Sequence, residues 1–173
     1  MFNQRSPYLL FAAFITFYLI FLTLLNLKKN MQEKIVVLGS NGQIGTELVT
    51  MLRKIYGDDH VVACDIRRPD YDIRNSAPFE FVNVLDKEMI NGIFHKYRPT
   101  QVYLLAALLS ATGEQNPKLA WDLNMNGLLN VLDLALEYKT AKVYWPSSIA
   151  VFGPNSPKDN TSQYCIMDPN TVY

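Results

Sequence analysis

Between Lys34 and Asp65 stand two features that could do chemistry: glycines at Gly39, Gly42 and Gly45, and the carboxylate of Asp65. Glycines at this spacing allow a tight turn, bring the backbone close to a pyrophosphate, and let the next helix pack against the preceding strand. The free N–H groups of that helix's first turn then face the phosphates. An acid at the tip of the following strand accepts hydrogen bonds from adenosine ribose hydroxyls and repels a 2′-phosphate. Asp65 therefore favours NAD over NADP. The spacing is G-x-x-G-x-x-G rather than G-x-G-x-x-G, and a bare glycine pattern is equally an ordinary turn with a close helix crossing. Its weight comes from the strand before it and the helix after it. Arg67 and Arg68 carry the charge to hold a phosphate, but read as the solvated edge of a loop.

The elements that must position these groups follow in order. Lys34–Leu38 is a short apolar strand. The helix after the turn has Ile44, Leu48, Leu52 and Ile55 at helical spacing. A second strand runs His60–Asp65, and a polar loop Arg67–Pro78 leads to a third, Phe79–Val84. A helix starts near Asp86, and a fourth strand, Gln101–Leu105, opens into a loop with Ser110, Thr112 and Gly113. One long helix is expected from about Pro117 to Tyr138, then a fifth strand, Lys142–Trp145, ending at Pro146-Ser147-Ser148. Strands alternating with helices mean an α/β fold of Rossmann type: a doubly wound parallel sheet with helices on both faces. Ligands of such sheets lie beyond the carboxyl ends of the strands, where Asp65, Asn83, Ala106, Ala107, Ser110, Ser147 and Ser148 fall.

A chain of 173 residues is about one domain. The net charge is zero and no basic stripe is interleaved with aromatics, so nucleic acid is not an expected partner. Cys64 and Cys165 lie far apart, and His60 and His95 have no partner at ligand spacing, so no metal site is expected. The cysteine usage fits a reducing, cytoplasmic compartment. Hydrophobic residues make up 49% and charged residues 18%, and the N-terminus accounts for much of both. Residues 8–27 are almost wholly apolar, long enough to span a bilayer, with Lys28 and Lys29 behind them. Residues 1–30 are thus either a single-span anchor with the nucleotide domain (31–173) in the cytosol, or an extension ahead of a true start at Met31.

Further along, Ser147-Ser148-Ile149-Ala150-Val151-Phe152-Gly153 resembles the S-S-x-x-V-[YF]-G signature of extended short-chain dehydrogenases/reductases, the NAD-dependent epimerase/dehydratase family. Tyr173 lies 25 residues after Ser148, the interval that family keeps between catalytic serine and tyrosine. Taken alone, the two serines are helix-capping hydroxyls and Tyr173 a partly buried aromatic. Asn124-Met125-Asn126-Gly127 resembles the family's N-x-x-G, and Leu105-Ala106-Ala107 its fourth-strand segment beside the cofactor. The runs Ala107–Glu114 and Trp145–Pro154, with Ile166–Pro169, are more specific and resemble NAD-dependent L-threonine 3-dehydrogenases.

The resemblance implies NAD held by Gly39, Asn41, Gly42, Gln43, Ile44 and Gly45, by Asp65, Ile66 and Arg67, by Asn83 and Val84, by Leu105, Ala106 and Ala107, and by Asn124 and Tyr173. It implies Ser148 and Tyr173 as catalytic, with Ser110, Ser147, Ser148 and Tyr173 on the substrate, L-threonine. Tyr173 as phenolate would take the hydroxyl proton while hydride leaves the same carbon. A homodimer is expected of the complete protein. Asn83 stands where family members often carry Asp beside the adenine, and Leu104 where a His is common. The family's Y-x-x-x-K needs a lysine beyond Tyr173, the last residue here, so the chain is expected to be a silent piece of a longer enzyme. A nucleotide-sugar epimerase or dehydratase, and a non-catalytic NAD-binding fragment, are the alternatives.

Overall fold

The computed structural model describes residues 33–67 and 77–172. The apolar N-terminal run, Arg68 and Tyr173 lie outside them. Five strands form one parallel sheet in the order β3-β2-β1-β4-β5: β1 Ile35–Leu38, β2 Val61–Asp65, β3 Phe79–Phe81, β4 Gln101–Leu104 and β5 Lys142–Tyr144. All four residues of β1 and all five of β2 are buried. A parallel sheet covered on both faces requires such uninterrupted apolar strands.

One face carries α2 (Lys87–Tyr97) and α5 (Gly127–Glu137). Ile90, Ile93 and Phe94 of α2 and Val131, Leu134 and Ala135 of α5 close over Val36, Leu38, Val62, Cys64, Val102 and Leu104. Asp86 caps α2 by accepting from the Glu88 and Met89 N–H groups at 3.0 and 3.1 Å. The opposite face carries α1 (Gln43–Tyr56), whose Val49 and Leu52 pack on Ile35, Val37, Val61 and Ala63. The apolar face of α1 is therefore Gly45, Val49 and Leu52, while Ile44 is 67% and Ile55 56% exposed.

Two elements depart from expectation. Ser110, Thr112 and Gly113 lie in a short helix, α3 (Ser110–Gln115), and not in an open loop. The long helix is interrupted: α4 (Pro117–Trp121) leads through a π-helical turn, Asp122–Asn126, into α5. The strand ends also retreat. Val82 and Val84 leave the sheet after Phe81 but stay 3% exposed, because they pack under α2 and α5. Among the described residues no helix is long and apolar enough to cross a membrane.

Candidate functional site

The glycine turn joins β1 to α1 at the carboxyl edge of the sheet. Gly39 has φ +90° and lies so close to the β4 loop that an added Cβ would stand 2.5 Å from the Ala106 nitrogen. A Cβ on Gly45 would stand 2.3 Å from the Gly39 carbonyl oxygen. Gly42 is different: its nearest neighbour would be 3.4 Å away, so no crowding from the protein excludes a side chain there. What its missing side chain leaves open is the cleft it lines. Gln43 and Ile44, both exposed, begin α1 and present N–H groups without intrahelical acceptors.

Asp65 ends β2 and is 7% exposed. Its Oδ2 accepts from the Asn41 N–H at 2.9 Å and its Oδ1 from the Arg67 N–H at 3.1 Å. Those bonds hold the carboxylate against the glycine turn and leave each oxygen a further lone pair. The Arg67 Nε is 4.0 Å from Oδ1, on a side chain 74% exposed, so it screens the carboxylate only weakly. Cys64, just before it, is fully buried; burial first, then the carboxylates of Glu80 and Asp65, push its thiol far up. It is a neutral core residue.

Between these groups lies a cleft of about 380 Å³. It is lined by Gly39, Gly42, Asp65, Ile66 and Arg67, and by Asn83, Val84, Leu105, Ala106 and Ala107. Val82, Leu108 and Leu123 also line it, each beside an expected cofactor residue and none with a polar group to mark it in the sequence. Asn124 fastens the cleft wall: its Oδ1 accepts from the Leu108 N–H at 2.8 Å and its Nδ2 donates to the Leu108 carbonyl at 3.1 Å. It does so from the π-helical turn, whose extra residue changes the angle at which its side chain leaves the helix. Gly127 follows where a Cβ would be 3.1 Å from Val84 Cγ2, and Asn130 Nδ2 donates to the Val84 carbonyl at 3.1 Å.

The residues expected at the reacting end come from β5 and beyond. Ser147 is exposed and Ser148 half-buried. The Ser148 Oγ accepts from the Ala150 N–H at 3.1 Å, capping the turn Ile149–Val151, so the bland reading of this serine holds. Capping uses a lone pair and leaves the hydroxyl hydrogen to donate. After that turn the chain folds back on itself. Gly153 lies against the Asp168 carbonyl, with no room for a side chain. The buried Ser156 Oγ accepts from the Gly153 N–H at 3.0 Å and donates to the Ile166 carbonyl at 2.7 Å. Beside Ser110 on α3, Glu114 accepts from the Val172 N–H at 3.0 Å, which ties the residue preceding Tyr173 to that helix.

A parallel sheet with a glycine turn, a ribose-ready carboxylate and an open cleft at its carboxyl edge defines a dinucleotide-binding α/β protein. The chain belongs to the NAD dependent epimerase/dehydratase family, whose model matches residues 35–173. It is 47% identical over 142 residues to an uncharacterized epimerase/dehydratase of Staphylococcus saprophyticus, covering 82% of this chain and 44% of that protein. Among solved structures it resembles the L-threonine dehydrogenase of Clostridium difficile, at 44% identity and TM-score 0.77 over 81% of this chain and 44% of that one. It also resembles the holo form of the GalE-like L-threonine dehydrogenase of Cupriavidus necator, at 44% identity and TM-score 0.76 over 80% and 45% of the two chains. The chain thus spans 44% of the length of the curated relative it matches. NAD is the cofactor of this family, and the cleft fits it: the Gly42 position is open, and the Asp65 oxygens retain lone pairs where a ribose would lie.

Proposed function

We propose that the whole protein oxidises the 3-hydroxyl of L-threonine to 2-amino-3-oxobutanoate with NAD, working as a homodimer in the cytosol. The observation that carries this reading is the placement of the two stretches most like L-threonine dehydrogenases. Ala107–Glu114 runs from the end of β4 into α3, and Pro146–Pro154 leaves the end of neighbouring β5, so both border the carboxyl edge of the sheet. In this reading Gly39–Gly45 holds the pyrophosphate, Asp65 the adenosine ribose, and Asn124 keeps the Leu108 backbone in place along the cleft.

Tyr173 takes the proton from the substrate hydroxyl, and Ser148 donates its hydroxyl hydrogen to the same oxygen as it becomes a carbonyl. Bound NAD supplies the acceptor for the hydride that leaves carbon 3. Ser110 and Ser147 hold the polar groups of the amino acid. A phenol titrates near ~10, so Tyr173 needs a neighbouring cation to work at neutral pH.

Assaying the whole protein with NAD tests the reading: NADH is expected with L-threonine and none with a UDP-hexose. The reverse result would make the protein a nucleotide-sugar enzyme. The cofactor assignment has its own test. NAD should bind more tightly than NADP, and Asp65→Ala should narrow the gap by about tenfold, the effect of removing one close charge opposition and its hydrogen bonds. Equal affinities before the substitution would remove Asp65 from the ribose site.

A further inference from the structure

Helix α3 carries two polar groups one turn apart, Ser110, proposed to hold the amino acid, and Glu114. Residues four apart lie on the same side of a helix. Both side chains are exposed. The Glu114 Oε1 accepts from the Val172 N–H at 3.0 Å, across 58 residues of sequence. A carboxylate that accepts from a main-chain N–H makes a charge-assisted bond, stronger than a neutral pair.

The helix itself is well fastened. Ahead of it, Asn124 holds the Leu108 backbone through two hydrogen bonds. Along it, the Gly113 N–H is held by the Leu109 carbonyl at 2.7 Å, and Gly113 packs on Ala120. The segment on the other side of the bond has fewer ties. The Asp168 N–H is held by the Val151 carbonyl at 3.1 Å, and the Asp168 Oδ2 accepts from the Asn155 side chain at 2.8 Å. From Pro169 to Val172, among the described residues, the bond to Glu114 is the one hydrogen bond that fastens the chain.

We propose that Glu114 is a positioning residue, which sets the place of Tyr173, the next residue along, against a substrate held one turn earlier by Ser110. This rests on the roles proposed above for Ser110 and Tyr173. Helix α3 is then one rigid piece with the substrate at its first turn and the proton acceptor's segment at its last, so the two keep their spacing. The phenol must stand within hydrogen-bond reach of the substrate hydroxyl, and a misplacement of about 1 Å costs as much as about 10²-fold in rate.

The test measures kcat and KM for L-threonine in the whole protein, in Glu114→Ala and in Glu114→Gln, and repeats Glu114→Ala in a Tyr173→Phe background. Glu114→Ala should lower kcat by about 10–100-fold, the cost of a loosely placed base, while the KM for threonine and the affinity for NAD stay within about threefold. Glu114→Gln keeps an oxygen that accepts the Val172 N–H and should recover most of the rate. In the Tyr173→Phe background, Glu114→Ala should change the remaining rate by less than about twofold, because residues that act as a unit are not additive. An equal loss in both backgrounds marks a role in folding alone and overturns the proposal. A raised KM that glutamine does not restore overturns it too, since it places Glu114 on the substrate's ammonium. Should Glu114→Ala fail to fold, Glu114→Asp takes its place: it withdraws the oxygen by one methylene and should be slower than Glu114→Gln, and equal rates for those two overturn the proposal. A natural rate in Glu114→Ala beside a slow Tyr173→Phe removes Glu114 and leaves the reading of Tyr173 standing. A natural rate in Tyr173→Phe removes both.

Discussion

Replacing Tyr173 by phenylalanine in the whole protein is expected to lower kcat with L-threonine by about 10²–10⁴-fold, the usual contribution of general acid–base help. Affinity for NAD should stay within a factor of about two, because the glycine turn and Asp65 are untouched. Ser148→Ala should cost about 10²–10³-fold, the loss of one donor to the reacting oxygen. That variant also removes the cap on the Ala150 N–H, a structural loss of about 1 kcal/mol. Ser148→Thr separates the two roles, since it keeps both the capping oxygen and the hydroxyl hydrogen and should recover most of the rate. Stopped-flow or steady-state rates of NADH formation read all three. Equal rates for the Ala variant and the natural protein would leave Ser148 as a cap alone.

Gly45→Ala is expected to abolish cofactor binding and to destabilise the domain by about 1–3 kcal/mol, as overpacking does. The added methyl would stand 2.3 Å from the Gly39 carbonyl, a backbone atom that cannot step aside without dragging the whole turn. Gly42→Ala is the contrast. Its methyl meets nothing closer than 3.4 Å, so the unfolding temperature should hardly move, while NAD affinity should fall at least about tenfold because the methyl enters the cleft. Thermal unfolding and NAD titration, run on both variants, separate packing from ligand approach. A stable Gly45→Ala protein that binds NAD normally would refute the close approach described for this turn.

The legible part of this fold is the part set by burial on two faces. The runs Ile35–Leu38 and Val61–Cys64 are apolar throughout because helices cover both sides of those strands, so the centre of the sheet is legible in the sequence. Where burial and pairing part company, apolar residues no longer mark strands. Val82 and Val84 are as apolar as strand residues but pack beneath helices after the chain has left the sheet. On α1 two apolar stripes share the helical period, and nothing local says that Val49 turns inward while Ile44 and Ile55 remain exposed. The short α3 has too little apolar periodicity to announce itself; its Gly113 N–H is held by the Leu109 carbonyl at 2.7 Å, and Gly113 packs on Ala120.

The site divides in the same way. The glycines and Asp65 act through backbone approach and charge, which residue type reveals, and Gly39, Gly42 and Asp65 meet at one cleft. Asn124 was marked by its motif, and the structure adds the two bonds to Leu108 through which it works. Glu114 closes the run Ala107–Glu114, but its bond to Val172, 58 residues away, has no sequence signal, and neither does the bond from Ser156 to Ile166, 10 residues away; only the folded chain joins them.

The central claim is that carbon 3 of L-threonine is the hydride donor to NAD. Incubating the whole protein with NAD and L-threonine deuterated at carbon 3, then examining the reduced cofactor by mass and proton NMR, tests it directly. One deuterium at C4 of the reduced nicotinamide is the expected result, with a slower rate than for unlabelled threonine whenever the transfer limits turnover. Reduced cofactor without deuterium, or no reduction by threonine alongside turnover of a nucleotide sugar, would contradict it.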